Sequence, residues 1–362
     1  MDERSSFTLF EIRIIDNVNY EIFFRVQLNK RRSLMICNQW YVVLESKEVN
    51  KKPIGVTRLS EKLVFYRDSQ DKVHCLKDQC VHRGVQLSLG EVHKDHLLCP
   101  FHGFEYNCEG KVDVIPAYGR TYQVPERYKV SYYRTFEMQG FIYIFWGKPE
   151  DAHELPVFFS DLGDEFSYST MNEVWPIHYS RAIENQLDVV HVPFVHRTTI
   201  GRGEKYVVDG PVVEWLDKDK FEFFVYNRVE DGTLAKRPKE MPKPNRKTDF
   251  RLGFKFPNLW QNYIAENVRV LAAFVPIDEE HTRIYLRFYQ SFMKVAGLKN
   301  LVNVMAMFFN KKVLHQDRRV VVTQQPIKSM LKMSDKLIQG DLPILEYRKR
   351  RDELLKEATK EL

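Results

Sequence analysis

The chain has 362 residues, 44% of them hydrophobic and 13% aromatic, with a formal net charge of +6. That is enough chain for two domains with a sizeable core, and no run approaches the roughly 18 apolar residues that a membrane span needs. Basic residues are not interleaved with stacking aromatics along one face, so nucleic acid is not expected as a partner, and five cysteines give no disulfide framework and point to a reducing cytoplasm.

Residues 1–34 stand apart and lack the apolar stretch and small-residue cleavage site of a signal peptide. The tract Lys30-Arg31-Arg32 ahead of Met35 could be encoded by a purine-rich ribosome-binding run. The expectation is therefore a native start at Met35, with the leader a mis-assigned extension. From 35 to 150, short runs of β-branched and aromatic residues such as Leu63–Tyr66 and Phe141–Phe145 predict a small β-domain. Inside it lie two paired motifs, Cys80-Val81-His82 and Cys99-Pro100-Phe101-His102-Gly103, separated by sixteen residues. Two thiolates and two imidazoles in this order suit a [2Fe–2S] cluster of the Rieske type, with the cysteines on one iron and the histidines on the other. Neutral imidazoles leave such a cluster less negative than four thiolates do, so it takes up an electron more readily. Pro100 and Gly103 permit a sharp turn that brings backbone N–H groups to the sulfides. Zinc is the first alternative, but a one-residue gap between ligands is uncommon at zinc sites. A buried structural set is the second. Cys37, Cys75 and Cys108 read as core or loop residues.

About a hundred residues later comes Asn185-Gln186-Leu187-Asp188-Val189-Val190-His191-Val192-Pro193-Phe194-Val195-His196. It predicts a helix over 178–192, with Asp188 and His191 on one face, ending before Pro193 and letting His196 fold back beside His191. Two histidines need one carboxylate to complete the facial triad of non-heme Fe(II). Asp317 is the favoured third ligand, with Asp188 and Glu184 as rivals. It lies near the end of an apolar stretch that predicts a long helix over 298–324. Taken singly, a histidine pair near a proline is more often structural, and an aspartate beside Arg318 and Arg319 is more often a salt bridge. Asn185 is a candidate hydrogen-bond donor in the cavity, against a capping or packing role, and Phe194 and Tyr289 are candidate lining residues. Strands over 221–229, 268–276 and 283–292, with a charged terminal helix over 344–360, complete an α+β catalytic domain over 151–362. The basic stretches Lys236–Lys247 and Tyr347–Arg351 read as solvated surface, with a docking face for an acidic electron donor as the second reading.

Together these motifs make the chain resemble the catalytic (alpha) subunit of Rieske non-heme iron oxygenases, from about Trp40 to about Pro326. Asn38-Gln39-Trp40, Gly140-Phe141-Ile142 and Gln324-Gln325-Pro326 add to the likeness. The shorter C-terminal region is similar to the demethylase-like and hydroxylase-like branches, which act on aromatic compounds. The resemblance implies a helix-grip catalytic domain with iron at the mouth of an apolar cavity. It also implies a head-to-tail homotrimer in which one subunit's cluster feeds its neighbour's iron. Asp188 matches the carboxylate that bridges the two redox sites across that boundary, a role in electron transfer rather than iron binding. No Gly-rich dinucleotide fingerprint follows a strand, so the nicotinamide or flavin is expected on a separate NAD(P)H-dependent reductase, with or without a ferredoxin. Two classes of function follow: a monooxygenase or dioxygenase acting with O₂ on a small apolar or aromatic compound, or a Rieske electron carrier with a degenerate catalytic domain. The length of the chain and the intact His191/His196 pair favour the enzyme.

Overall fold

The computed structural model describes residues 35–360, so the expectation about the leader falls outside the described residues. The N-terminal part is built from short strands: β1 (Gln39–Glu45), β2 (Ile54–Arg58), β3 (Glu61–Arg67), β4 (Val73–Lys77), β5 (Glu91–His93), β6 (His96–Leu98), β7 (Glu105–Tyr106), β8 (Val112–Val114), β9 (Tyr132–Tyr133), β10 (Thr135–Met138) and β11 (Phe141–Trp146). They form antiparallel sheets of order β1-β11-β10, β2-β3-β4-β9 and β5-β6-β7-β8. All six residues of β11 are buried, which is why its apolar run is continuous rather than alternating.

The C-terminal part has seven strands: β12 (Ser167–Trp175), β13 (Val207–Asp217), β14 (Lys220–Arg228), β15 (Arg251–Lys255), β16 (Leu259–Ala265), β17 (Val268–Pro276) and β18 (Thr282–Gln290). One antiparallel sheet takes them in the order β12-β18-β17-β16-β15-β14-β13. Four helices accompany it: α1 (Tyr179–Leu187), α2 (Val192–Val195), α3 (Ala296–Val321) and α4 (Leu342–Lys360). The long helix α3 packs on the sheet edge at β12 and β18 and touches α1 and α2. This is the α+β arrangement expected, a large antiparallel sheet with a long helix. No described helix is long and apolar enough to cross a membrane.

Helix α1 stops five residues short of the expected end. Asp188 leaves the helix with extended backbone, and its Oδ1 accepts the N–H groups of Val190 (2.7 Å) and His191 (3.1 Å). A short carboxylate that offers the backbone this alternative ends a helix. Pro193 therefore sits in the first turn of α2, where a missing N–H costs nothing. Asp188 and His191 do not share a helix face; a turn joins them.

The reading of Tyr347–Arg351 as solvated surface is also overturned. Arg348 and Arg351 are buried on α4. Arg348 makes a two-pronged pair with Glu184 at 2.7 and 2.9 Å and reaches Asp335 at 2.7 Å. Arg351 donates to the Ser329 carbonyl at 3.0 Å and to the Tyr179 hydroxyl at 3.2 Å. These contacts dock α4 onto α1.

The two sheet systems are joined by Arg287 of β18, which has no exposed surface. Its Nε lies 3.1 Å from Glu45 Oε1 at the end of β1. Its Nη atoms donate to the carbonyls of Gln139 (2.6 Å) and Gly140 (2.8 Å) in the β10–β11 turn and to the Tyr289 hydroxyl (3.2 Å). The guanidinium also covers the Phe141 ring. Breaking one side of such a pair leaves a buried uncompensated charge. Arg287→Ala is expected to cost about 3–5 kcal/mol in urea unfolding, whereas Arg287→Met combined with Glu45→Leu recovers most of it.

Candidate active site

The two cysteine–histidine loops are built alike. Cys80 N–H donates to the Val85 carbonyl and Gly84 N–H to the Cys80 carbonyl. The Cys99 loop repeats the pattern with Phe104 and Gly103. Gly84 (φ +74°) and Gly103 (φ +68°) both occupy the left-handed region that lets each loop close. A buried cluster including Leu97, Phe104 and Tyr106 backs the loops. The cysteines are buried, at 4% and 3% exposure, while His82 and His102 are exposed with ring centroids 4.8 Å apart.

Burial pushes the Cys99 thiol up, and the neighbouring Cys80 adds to this against the pull of the Phe101 N–H. Two buried sulfurs beside two exposed imidazoles form a donor set that fits a [2Fe–2S] cluster. Tyr106 was not among the residues expected from sequence. Its hydroxyl lies 3.0 Å from Cys80 Sγ and accepts the Val81 N–H at 2.9 Å; nothing in sequence spacing marks a contact made across 26 residues.

The second constellation converges. His191 Nε2 lies 3.3 Å from His196 Nε2, and Asp317 Oδ1 is 3.4 Å from the first and 2.9 Å from the second. His191 ends the turn set by Asp188, α2 carries the chain to His196, and α3 delivers Asp317. Asp317 Oδ1 is buried without a hydrogen-bond donor of good geometry. Three adjacent corners of an octahedron with bonds of about 2.1 Å lie about 3 Å apart, so the set fits one divalent first-row ion.

Burial alone would lower the His191 imidazole, but the carboxylates of Asp188 and Asp317 outweigh it and raise it to about 10. Asp317 is likewise held down at about 2, its burial overcome by the two imidazoles.

The neighbours of the triad separate the other candidates. Glu184, a rival ligand, is held by Arg348 and Arg181 and is not part of the constellation. Asp188 lies apart from the constellation: its Oδ1 is 3.6 Å from His191 Nδ1, on the opposite side of the ring from Nε2, and its side chain is 30% exposed. Asn185 sits on α1 with its Nδ2 buried and without a partner. Gln186 Nε2 approaches Asp317 Oδ2 at 3.4 Å. The two aromatic lining candidates are not brought to the triad: Tyr289 belongs to the Arg287 clamp, and Phe194 is exposed and stacked on Tyr206. A cleft of about 580 Å³ lies elsewhere, between Trp40, Glu154 and Lys255.

The Rieske [2Fe-2S] domain family matches residues 39–131, and the vanillate O-demethylase oxygenase C-terminal domain family matches residues 175–357. A vanillate O-demethylase oxygenase subunit from a Pseudomonas species is 32% identical over 207 residues, 55% of this chain and 54% of the relative. The methylxanthine N1-demethylase NdmA of Pseudomonas putida is 27% identical over 332 residues, 89% of this chain and 90% of the relative. The chain thus spans about half the length of the first of these curated relatives and most of the second. Among solved structures, NdmA of Pseudomonas putida superposes with a TM-score of 0.73 at 22% identity, covering 92% of this chain and 94% of that one. Dicamba monooxygenase bound to dicamba gives 0.67 at 18% identity, covering 89% and 98%. The fold is shared along nearly the whole chain.

A hydrogen bond to a cluster sulfur stabilises the reduced state. Tyr106→Phe is therefore expected to lower the cluster's reduction potential, read by redox titration of its visible absorption, with the loop fold unchanged by circular dichroism.

Proposed function

We propose, since the chain belongs to the family of the vanillate O-demethylase oxygenase C-terminal domain and carries a Rieske domain ahead of it, that it is the oxygenase component of a Rieske non-heme iron system. Its domains are 35–150 and 151–362. The cluster ligands are Cys80, His82, Cys99 and His102, and the mononuclear Fe(II) ligands are His191, His196 and Asp317. The observation that carries the reading is the convergence of two imidazoles and a buried carboxylate oxygen in a chain that also holds the cluster loops. An electron carrier has no use for this second site.

The substrate is a small apolar or aromatic compound. Oxygen insertion into a C–H bond gives a hydroxylated product. If that carbon is a methyl on oxygen or nitrogen, the product releases formaldehyde, leaving the free hydroxyl or N–H. Either outcome consumes one O₂, two electrons and two protons and yields one water. Vanillate O-demethylase and the methylxanthine N1-demethylase motivate the demethylation branch. The electrons come from a separate NAD(P)H-dependent reductase, with or without a ferredoxin, and the assembly is a cytoplasmic homotrimer.

When bound, the cluster would supply one-electron storage and the mononuclear iron would supply O₂ activation. The chain does the rest. Burial of Cys80 and Cys99 shields the sulfur side from water, and Tyr106 tunes it. Asp188 holds the turn that presents His191 and, facing its Nδ1 while partly exposed, is placed to meet a cluster histidine of a neighbouring subunit. Gln186 steadies the outer oxygen of Asp317. Asn185, one turn before Asp188, has a free donor for a polar group near the iron.

Anaerobically prepared protein is expected to hold about three irons and two acid-labile sulfides per chain, and Asp317→Ala about two irons with sulfide unchanged. A ratio near two to two in both would transfer the case to the electron carrier. With a partner reductase, NADH-dependent O₂ uptake on methoxy- or N-methyl-arenes should yield formaldehyde, and NADH without a reductase should yield none.

A further inference from the structure

His196 is almost fully buried, at 1% exposure, and its Nδ1 lies 3.0 Å from Gln316 Oε1. The same oxygen accepts the Thr199 hydroxyl at 2.7 Å, and Gln316 Nε2 donates to the Thr198 hydroxyl at 3.0 Å. A histidine that gives Nε2 to a metal carries its proton on Nδ1 and needs an acceptor there. The acceptor here is a neutral amide hydrogen-bonded on both sides to consecutive threonines. It sits one residue before Asp317 on α3, so one turn of helix supplies both the carboxylate and the group that sets the histidine facing it.

The two histidines are thereby supported differently. His191 Nδ1 faces the Asp188 carboxylate across 3.6 Å, while His196 Nδ1 faces an uncharged oxygen. We infer that Gln316 is a positioning residue of the mononuclear site: it holds His196 as the Nδ1–H tautomer with Nε2 free for the metal, and hydrogen bonds with Thr198 and Thr199 hold its side chain in place. This rests on the proposed metal site and adds a residue to it.

The test uses the full chain with its cluster in place and Co(II) as the probe, titrated anaerobically and followed by the Co(II) d–d bands after subtracting the cluster absorption. Asp317→Ala defines binding at the triad. Gln316→Leu should weaken Co(II) binding about 10–100-fold, the usual cost of losing such a support. Gln316→Glu, which keeps an acceptor oxygen, should bind within about threefold of wild type, and Thr198→Val should fall between the two. Binding by Gln316→Leu within about twofold of wild type would overturn the inference. Equal losses in Gln316→Leu and Gln316→Glu would also overturn it, since they would indicate packing rather than hydrogen-bond acceptance. Wild-type bands that Asp317→Ala leaves unchanged would overturn the metal site itself, a failure distinct from that of Gln316. Melting curves and the cluster spectrum of each variant separate any of these results from misfolding.

Discussion

A guanidinium with no exposed surface must have its charge and donors answered inside the protein, and Arg287 meets that demand by drawing on both halves of the chain. Glu45 from β1, the carbonyls at the β10–β11 turn and the Phe141 ring all come from the N-terminal sheets, while the arginine itself stands on β18 of the large sheet. Thr170 of β12 binds the same Glu45 oxygen at 2.6 Å. The edge of the large sheet is thus fixed to the β-domain at the point where α3 packs on β12 and β18. Since α3 carries Asp317, the joint between the sheets and the placement of the carboxylate are mechanically one problem.

The clamp is a poor source of net stability, because desolvating two charged groups offsets most of their attraction. It is a good source of uniqueness. A sheet slipped by one residue would turn Arg287 to the other face and leave the buried Glu45 without its guanidinium partner. Apolar burial surrounds the clamp on both sides; the hydrophobic pattern sets register wherever one face is buried, and along β18, buried on both faces, the directional pair adds to it. Division of labour between a hydrophobic filling and a few directional polar joints recurs at Arg348–Glu184, which seats α4 against α1.

The candidate site was legible in the sequence to the extent that its chemistry is local. The expectations for the cysteine–histidine pairs and the 191/196 histidines came from the residue types and close spacing that metal chemistry dictates, whereas Asp317, far down the chain, was favoured for its place near the end of a long apolar stretch. Contacts across long separations left no such mark. Gln316 reaches His196 across 120 positions, and Arg348 finds Glu184 across 164, so a run of basic residues looked solvated when half of it is buried. The expected end of α1 rested on Pro193, the visible stop signal, while the hydrogen bonds by which Asp188 ends the helix earlier leave no mark in the spacing. Strands such as β12, with its mixed polar and apolar face, lacked the alternation that would have announced them.

At the cluster loops, sulfur is sealed inside and imidazole lies at the surface, with the two rings 4.8 Å apart. In the proposed system a donor that charges the cluster and an acceptor that drains it would both meet the protein most closely on this exposed side, so charging and discharge would either alternate in time or divide the two rings between them.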